Sequence, residues 1–133
     1  MGKVAVALDT VIVLVFVAIG RTAHAHGVTT AGLASTAWPF LAALALGWLA
    51  VAMGRRDGTA WSGGLVVWIS TVVLGMVFRV VSGQGTAVAF VFVALGFLGV
   101  TMLGWRALVV GIRHWRSAGA TPDGRTGGQI IRR

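Results

Sequence analysis

The chain has 133 residues, of which 57% are hydrophobic and only 11% are charged. Soluble domains carry about 25% charged residues, so this composition leaves too little polar material for a water-facing surface. In a soluble protein the net charge of +8 would indicate nucleic acid, but the placement of the charges excludes that interpretation here. The absence of cysteine excludes disulfides and thiolate metal sites.

Four apolar runs are each long enough to cross a hydrocarbon core, which takes roughly 20 helical residues. They cover about residues 4–20, 33–53, 61–81 and 87–112. Because unpaired backbone groups are costly in lipid, we expect helices rather than strands. The sequence predicts an all-α polytopic membrane protein, with a four-transmembrane-helix bundle over residues 1–113 and a disordered basic tail over residues 114–133. Pro39 is expected in the opening turn of the second helix, where a missing N–H costs little.

Positive charges are concentrated on one side of the predicted zigzag. They are Lys3, Arg55, Arg56, Arg113, Arg116, Arg125, Arg132 and Arg133. The other side has Arg21 and, close to the end of the third span, Arg79. By the positive-inside rule we expect a multi-pass protein of the plasma membrane whose N and C termini are cytoplasmic. The basic flank is then expected to contact membrane lipids with anionic headgroups at the cytoplasmic face.

The first span has a second interpretation. Lys3, the apolar run and the Ala-His-Ala segment at residues 23–25 resemble a secretory signal with its cleavage site. Asp9 lies inside the apolar run, however, and Arg21 lies just before the cleavage site. Both charges are unusual for a signal, so we expect the first helix to remain.

The second and fourth spans share a sequence pattern. Residues 46–56 and 103–113 are identical at six of eleven positions, which indicates either a parallel duplication of two-helix units or chance similarity among small residues. Each span carries a stripe of small residues: Gly47, Ala50 and Gly54 in the second, and Gly104, Ala107 and Gly111 in the fourth. Small residues let membrane helices approach closely, so we predict that these two helices cross through their stripes. The alternative is a contact between copies in a homo-oligomer.

Two ionisable residues lie inside the predicted spans at the same depth. Asp9 lies five residues in from Val4, and Arg106 lies six residues before Ile112, so each is roughly 8–9 Å below the cytoplasmic boundary. We predict an intramembrane ion pair between them, because a charge buried in lipid needs a partner. Two alternatives stay open: Arg106 extends to the membrane surface, or Asp9 relays protons.

A candidate binding cluster lies on the outer side, formed by Arg21, His24 and Arg79. The two arginines are cationic, His24 becomes so on protonation, and no carboxylate is nearby in the sequence, so an anionic headgroup, an anionic solute or a quinone carbonyl is a suitable ligand. The alternative is that both arginines extend to lipid phosphates. His24 and His26 alone make an incomplete metal site, so we predict no metal and no cofactor.

Several polar and aromatic positions recur in the order of a known family. They are Asp9, Gly20-Arg21, His24, Trp38-Pro39-Phe40, Gly47-Trp48, Gly75-Met76, Arg79 and Trp105-Arg106. Over about residues 4–113 the chain resembles the integral-membrane family called domain of unknown function 3054. The resemblance implies a small prokaryotic membrane protein, found in actinobacteria and haloarchaea. It implies a topology but no chemistry.

Two function classes remain. The first is a non-enzymatic bundle that binds lipid or acts as an accessory to a membrane protein partner or a second copy. The second is a small permease that uses the outer arginines for an anionic or proton-coupled substrate. We expect no enzyme, because the sequence has no nucleophile–base pair, phosphate loop or metal cluster. The first class is favoured.

Overall fold

The computed structural model describes residues 2–23 and 29–119. Within these ranges the chain forms four helices: α1 (Gly2–Ala23), α2 (Thr30–Met53), α3 (Trp61–Val81) and α4 (Val88–Ala118). All four are long and apolar enough to span a membrane, which confirms the predicted all-α polytopic fold. Helices of this length and composition are those of a multi-pass membrane protein.

The four helices surround one core in chain order. α1 packs on α2, α2 on α3, α3 on α4, and α4 on α1. Short loops make consecutive helices antiparallel neighbours. We call the end of the bundle that holds the start of α1, loop 54–60 and the end of α4 the terminal end. The end that holds loop 82–87 is the far end. Between the two ends the core is apolar, with Val13, Phe40, Val67, Leu98 and Met102 fully buried.

The predicted crossing of α2 and α4 is wrong. These helices are diagonal in the described bundle, and their backbones make no close approach. Gly47 packs on α3 instead, where a Cβ atom at its position would lie 3.3 Å from the Val67 Cα. Four other stripe residues are exposed: Ala50, Gly54, Ala107 and Gly111. A Cβ atom at Gly104 would meet nothing within 4 Å. Small residues permit a close approach but do not specify which helix approaches, and a contact between copies stays a prediction.

The close approach in this bundle is between α2 and α3, which share its largest interface. A Cβ atom at Gly75 of α3 would lie 2.6 Å from the Phe40 ring of α2. Gly47 meets α3 in the same way from the opposite side of the interface. Each of these two helices therefore contributes a glycine to the seam, as expected where lipid provides no hydrophobic drive for association.

Two predicted boundaries differ from the structure. α4 continues to Ala118, so residues 114–118 are helical and not part of a disordered tail, while residues 120–133 lie outside the described residues. α2 begins at Thr30, capped by the Thr29 hydroxyl, which accepts a hydrogen bond from the Gly32 N–H at 3.1 Å. Pro39 is therefore inside the helix rather than in its opening turn. The cap lies before the apolar run from which the start of the helix was predicted.

Candidate functional site

A cleft of about 710 Å³ opens at the far end of the bundle. Arg21 of α1 and Arg79 of α3 both line it, so the structure brings these two predicted residues together. His24, the third member of the predicted cluster, lies outside the described residues. The remaining wall is made of Phe16, Val17, Gly20, Ser35, Thr36, Gln84, Gly85, Thr86, Ala87 and Phe90.

Arg21 belongs to the last turn of α1 and reaches across to α2. Its Nη1 group donates a hydrogen bond to the Thr36 Oγ1 atom at 2.9 Å. The Thr36 hydroxyl in turn donates to the Gly32 carbonyl at 3.0 Å. A Cβ atom at Gly32 would collide with the Arg21 guanidinium, so glycine at this position leaves the room that the arginine occupies. Arg21 is thus fixed against α2 at the rim of the cleft.

Arg79 lies near the end of α3 and is held by loop 82–87. Its Nε atom donates to the Gly85 carbonyl at 3.3 Å, and its Nη1 atom donates to the Gln84 Oε1 atom at 3.1 Å. The guanidinium carbon lies 4.7 Å from the centre of the Phe90 ring, in cation–π contact. Its Nη2 group makes no hydrogen bond to any of the described residues. The Arg79 guanidinium is therefore held in one orientation but retains N–H donors for a further hydrogen-bond acceptor.

Pro39 explains why Gln84 is held in place. A proline has no N–H, so Pro39 leaves the carbonyl of Ser35, four residues earlier in α2, without its helical donor. Gln84 supplies the missing bond, since its Nε2 group donates to the Ser35 carbonyl at 2.9 Å. Gln84 then presents its Oε1 atom to Arg79. A gap in the hydrogen bonds of α2 is thereby linked to the orientation of an arginine on α3.

Loop 82–87 depends on two glycines for its path. Gly83 has φ +76° and Gly85 has φ +68°, a left-handed backbone that glycine adopts at little steric cost. The backbone N–H of Gln84 donates back to the Arg79 carbonyl at 2.9 Å. This turn places both the Gln84 side chain and the Gly85 carbonyl next to the arginine.

The cleft has positive groups and no carboxylate among its described lining residues. The whole sequence has three acidic residues, Asp9, Asp57 and Asp123. Asp9 and Asp57 belong to the terminal end, and Asp123 lies outside the described residues. Two guanidinium groups at the end of an apolar bundle have the chemistry that binds an anion.

At the terminal end, Arg106 and Asp9 form the ion pair that their matching depths indicated. The Arg106 Nη2 group lies 2.7 Å from Asp9 Oδ2, and Nη1 lies 3.0 Å from Oδ1. Both side chains are fully buried. Arg106 therefore does not extend to the membrane surface, and the bidentate geometry is the strong form of this interaction.

Two tryptophans complete the acceptor sites of this carboxylate. Trp48 Nε1 donates to Asp9 Oδ2 at 3.2 Å, and Trp105 Nε1 donates to Oδ1 at 3.0 Å. They occupy equivalent positions in the shared pattern of α2 and α4. The signal that could have revealed them is the Gly-Trp pair repeated at the depth of Asp9. Because a carboxylate has about four acceptor sites, Asp9 is saturated, which is the arrangement of a structural ion pair.

Arg106 also fastens loop 54–60 to the bundle. Its Nε atom donates to the Gly58 carbonyl at 2.9 Å, and Nη1 donates to the Met102 carbonyl at 2.8 Å. A Cβ atom at Gly64 would overlap the Arg106 side chain, and one at Gly58 would overlap the Trp48 ring. The network, which we call the Asp9 cluster (Asp9, Trp48, Trp105 and Arg106), thus joins α1, α2, α4 and this loop.

The loop has its own internal support. Asp57 Oδ1 accepts hydrogen bonds from the Thr59 hydroxyl at 2.7 Å and from the Thr59 N–H at 2.9 Å. The bond from the hydroxyl has the larger effect, and together the two bonds lower the pKa of Asp57 below its usual range. The ionised carboxylate therefore keeps the turn that presents Gly58 to Arg106.

The comparisons with known proteins concern almost the whole bundle. A family model described as Protein of unknown function (DUF3054) matches residues 6–109. The chain belongs to this family. The resemblance predicted from the sequence is confirmed, and the DUF3054 match includes Asp9, Arg21, Arg79 and Arg106. Neither the comparison with curated proteins nor the comparison with solved structures gave a match. Among residues 2–23 and 29–119, no three His, Asp or Glu side chains lie close enough to hold a metal ion.

Proposed function

We propose that this DUF3054 protein is a non-enzymatic binding protein of the plasma membrane whose far-end cleft holds the anionic group of a ligand. The observation that carries the proposal is that Arg21 and Arg79 line one cleft without a carboxylate among its described walls. Guanidinium groups recognise phosphate and carboxylate through paired N–H donors. A bound anion would place a negative charge beside these two guanidinium groups, where no described lining residue is acidic.

Orientation follows from the distribution of charge. Lys3, Arg55, Arg56, Arg113 and Arg116 all belong to the terminal end. The positive-inside rule assigns this end to the cytoplasm, where its basic residues contact anionic headgroups. The far-end cleft then opens on the outer face of the membrane, and both termini are cytoplasmic.

Binding accounts for the interior better than transport does. A permease needs a path from the cleft to the other face, but the core below the cleft is filled by Phe40, Leu98 and Met102, all fully buried. Beyond them the Asp9 cluster joins three helices and a loop through satisfied hydrogen bonds. These contacts support a ligand that enters and leaves by the same side. The hydroxyls among the described walls, Ser35, Thr36 and Thr86, have no acid or base beside them, which supports a role without catalysis.

Removing either arginine should weaken binding of a phosphate-bearing probe. We expect the purified full chain, in a neutral maltoside detergent, to bind methyl phosphate or dodecyl phosphate saturably in calorimetric titrations. Arg79→Gln and Arg21→Gln should each weaken binding roughly tenfold or more, because each removes hydrogen bonds to a charged group.

Arg56→Gln is the matched control, since it removes one arginine from an exposed position at the terminal end. It should leave the affinity unchanged. If neither phosphate binds to the unmodified protein, or if all three variants lose the same amount, the far-end cleft is not an anion site.

A further inference from the structure

We propose that the ligand of the far-end cleft is an amphiphile, with one anionic headgroup and a hydrocarbon chain, taken from the outer leaflet of the membrane. This inference rests on the proposed function and adds the chemical class of the ligand. The proposed function depends only on the arginines, whereas this inference also depends on an apolar surface beside them.

The size of the cleft exceeds what a small anion uses. Its volume of about 710 Å³ falls within the range of about 300–1,000 Å³ found for sites of drug-sized molecules. A phosphate or carboxylate group held by two guanidinium forks would occupy only the rim. The rest of the volume has room for a further part of the ligand.

The walls are divided into a polar and an apolar part. The polar part is the rim, where Arg21 donates to Thr36 and Gln84 accepts from Arg79. The apolar part is deeper along the helices, where Phe16 and Val17 of α1 face the cleft from one or more turns below Arg21. Phe90 of α4 joins them, with its ring centre 5.7 Å from that of Phe16. A charged head at the rim and a hydrocarbon chain on this floor match the two parts.

The depth of the cleft is that of the lipid headgroups. Arg79 is two residues from the end of α3, and Arg21 is two residues from the end of α1. Trp38 belongs to the same end, is 45% exposed, and stacks on Phe78 with ring centres 6.3 Å apart. Indole side chains are enriched at the membrane interface, so this level of the bundle coincides with headgroup phosphates.

The route proposed for a lipid is from the side, along the seam between α1 and α4. α1 and α4 share the smallest interface in the described bundle, and both contribute to the apolar floor through Phe16 and Phe90. A hydrocarbon chain that lies between α1 and α4 near the far end would remain in contact with the bilayer while the headgroup of the same ligand reaches the arginines. A water-soluble anion would not need this route.

A bulky residue at position 20 can separate the effect of the ligand's hydrocarbon chain on affinity from the effect of its charge. Gly20 lines the cleft, and a Cβ atom there meets nothing within 4 Å, so Gly20→Phe fits the helix while its ring takes up space in the apolar part. Binding of methyl, butyl, octyl and dodecyl phosphate would be measured for the unmodified chain and for the variant. Affinity should rise with chain length, by about fourfold for each methylene that becomes buried. Gly20→Phe should reduce dodecyl phosphate binding at least tenfold more than it reduces methyl phosphate binding.

Gly96→Phe is the matched control, because Gly96 is exposed on α4, does not line the cleft, and also has open space at its Cβ position. All variants share the same detergent micelles, so a difference between them reports on the protein and not on partition of the probe. Equal affinities across the chain-length series, or full dodecyl phosphate binding by Gly20→Phe, would overturn the amphiphile while leaving the anion site in place. If the unmodified protein binds none of these phosphates, the proposed function is overturned as well.

Discussion

Asp9 is a buried charge whose acceptor sites are all used. Arg106 takes two of them, and Trp48 and Trp105 take one each. A carboxylate inside a span costs at least about 2.5–3.5 kcal/mol on insertion scales, and this set of donors offsets that cost. At the scale of the residue, the Asp9 cluster therefore stabilises the packing of the helices that it joins.

Removing one partner of this pair should be more damaging than removing both. Asp9→Leu is expected to lower the free energy of unfolding by about 3–5 kcal/mol, because it leaves the Arg106 guanidinium buried without a counter-charge. Asp9→Leu combined with Arg106→Leu should recover part of that loss. Circular dichroism during denaturation of the detergent-solubilised protein would measure each value. Trp48→Phe, which keeps a ring but removes one donor to the carboxylate, should cost less, about 1.5–3 kcal/mol. If the losses in free energy of unfolding from the two leucine substitutions simply add in the double variant, Asp9 and Arg106 are not directly coupled.

At the scale of the element, α2 has an interruption that serves the cleft. Pro39 removes the hydrogen bond to the Ser35 carbonyl, and Gln84 replaces it from loop 82–87. The same Gln84 accepts from Arg79. The helix thus gives up one internal bond, and the freed carbonyl anchors the loop that orients the arginine.

Pro39→Ala should weaken anion binding although residue 39 does not line the cleft. The alanine N–H restores the helical bond to Ser35 and competes with Gln84, so Arg79 loses part of its orientation. Ordering one side chain takes about 0.5–1.5 kcal/mol, which predicts a loss of affinity of roughly two- to tenfold. Titration with the phosphate probe would measure it, and circular dichroism would show that the helices are retained.

Gln84→Leu should give a similar loss, and the double variant should lose no more than the larger single loss. Losses that add in the double variant would mean that Pro39 and Gln84 act on the site independently.

At the scale of the whole molecule, the two ends of the bundle differ in chemistry. The terminal end carries the Asp9 cluster and most of the positive charge, and the far end carries the cleft. An apolar core separates them. This difference between the two ends, together with the positive-inside rule, is the physical basis for our proposal that the cleft opens on the outer face.

The orientation can be tested by labelling, since the sequence contains no cysteine of its own. Ser82→Cys marks the far end and Arg56→Cys marks the terminal end, both at exposed positions. A maleimide that does not cross membranes should label Ser82→Cys on intact cells, and should label Arg56→Cys only after the cells are opened. The reverse pattern would turn the cleft toward the cytoplasm.

The sequence by itself determined the helix count and the approximate spans, because apolar length is a property of the chain alone. It also predicted the partner of Asp9, because a lone charge in lipid is costly. It also singled out Arg21 and Arg79 as cations far from any carboxylate. Only the tertiary structure decided that Gly47 packs on α3, that two indoles donate to Asp9, and that Gln84 links Ser35 to Arg79. These contacts depend on the order of helices around the core and on the rotation of each helix about its axis. Small residues and tryptophans fit several such arrangements, so their partners cannot be read from spacing along the chain.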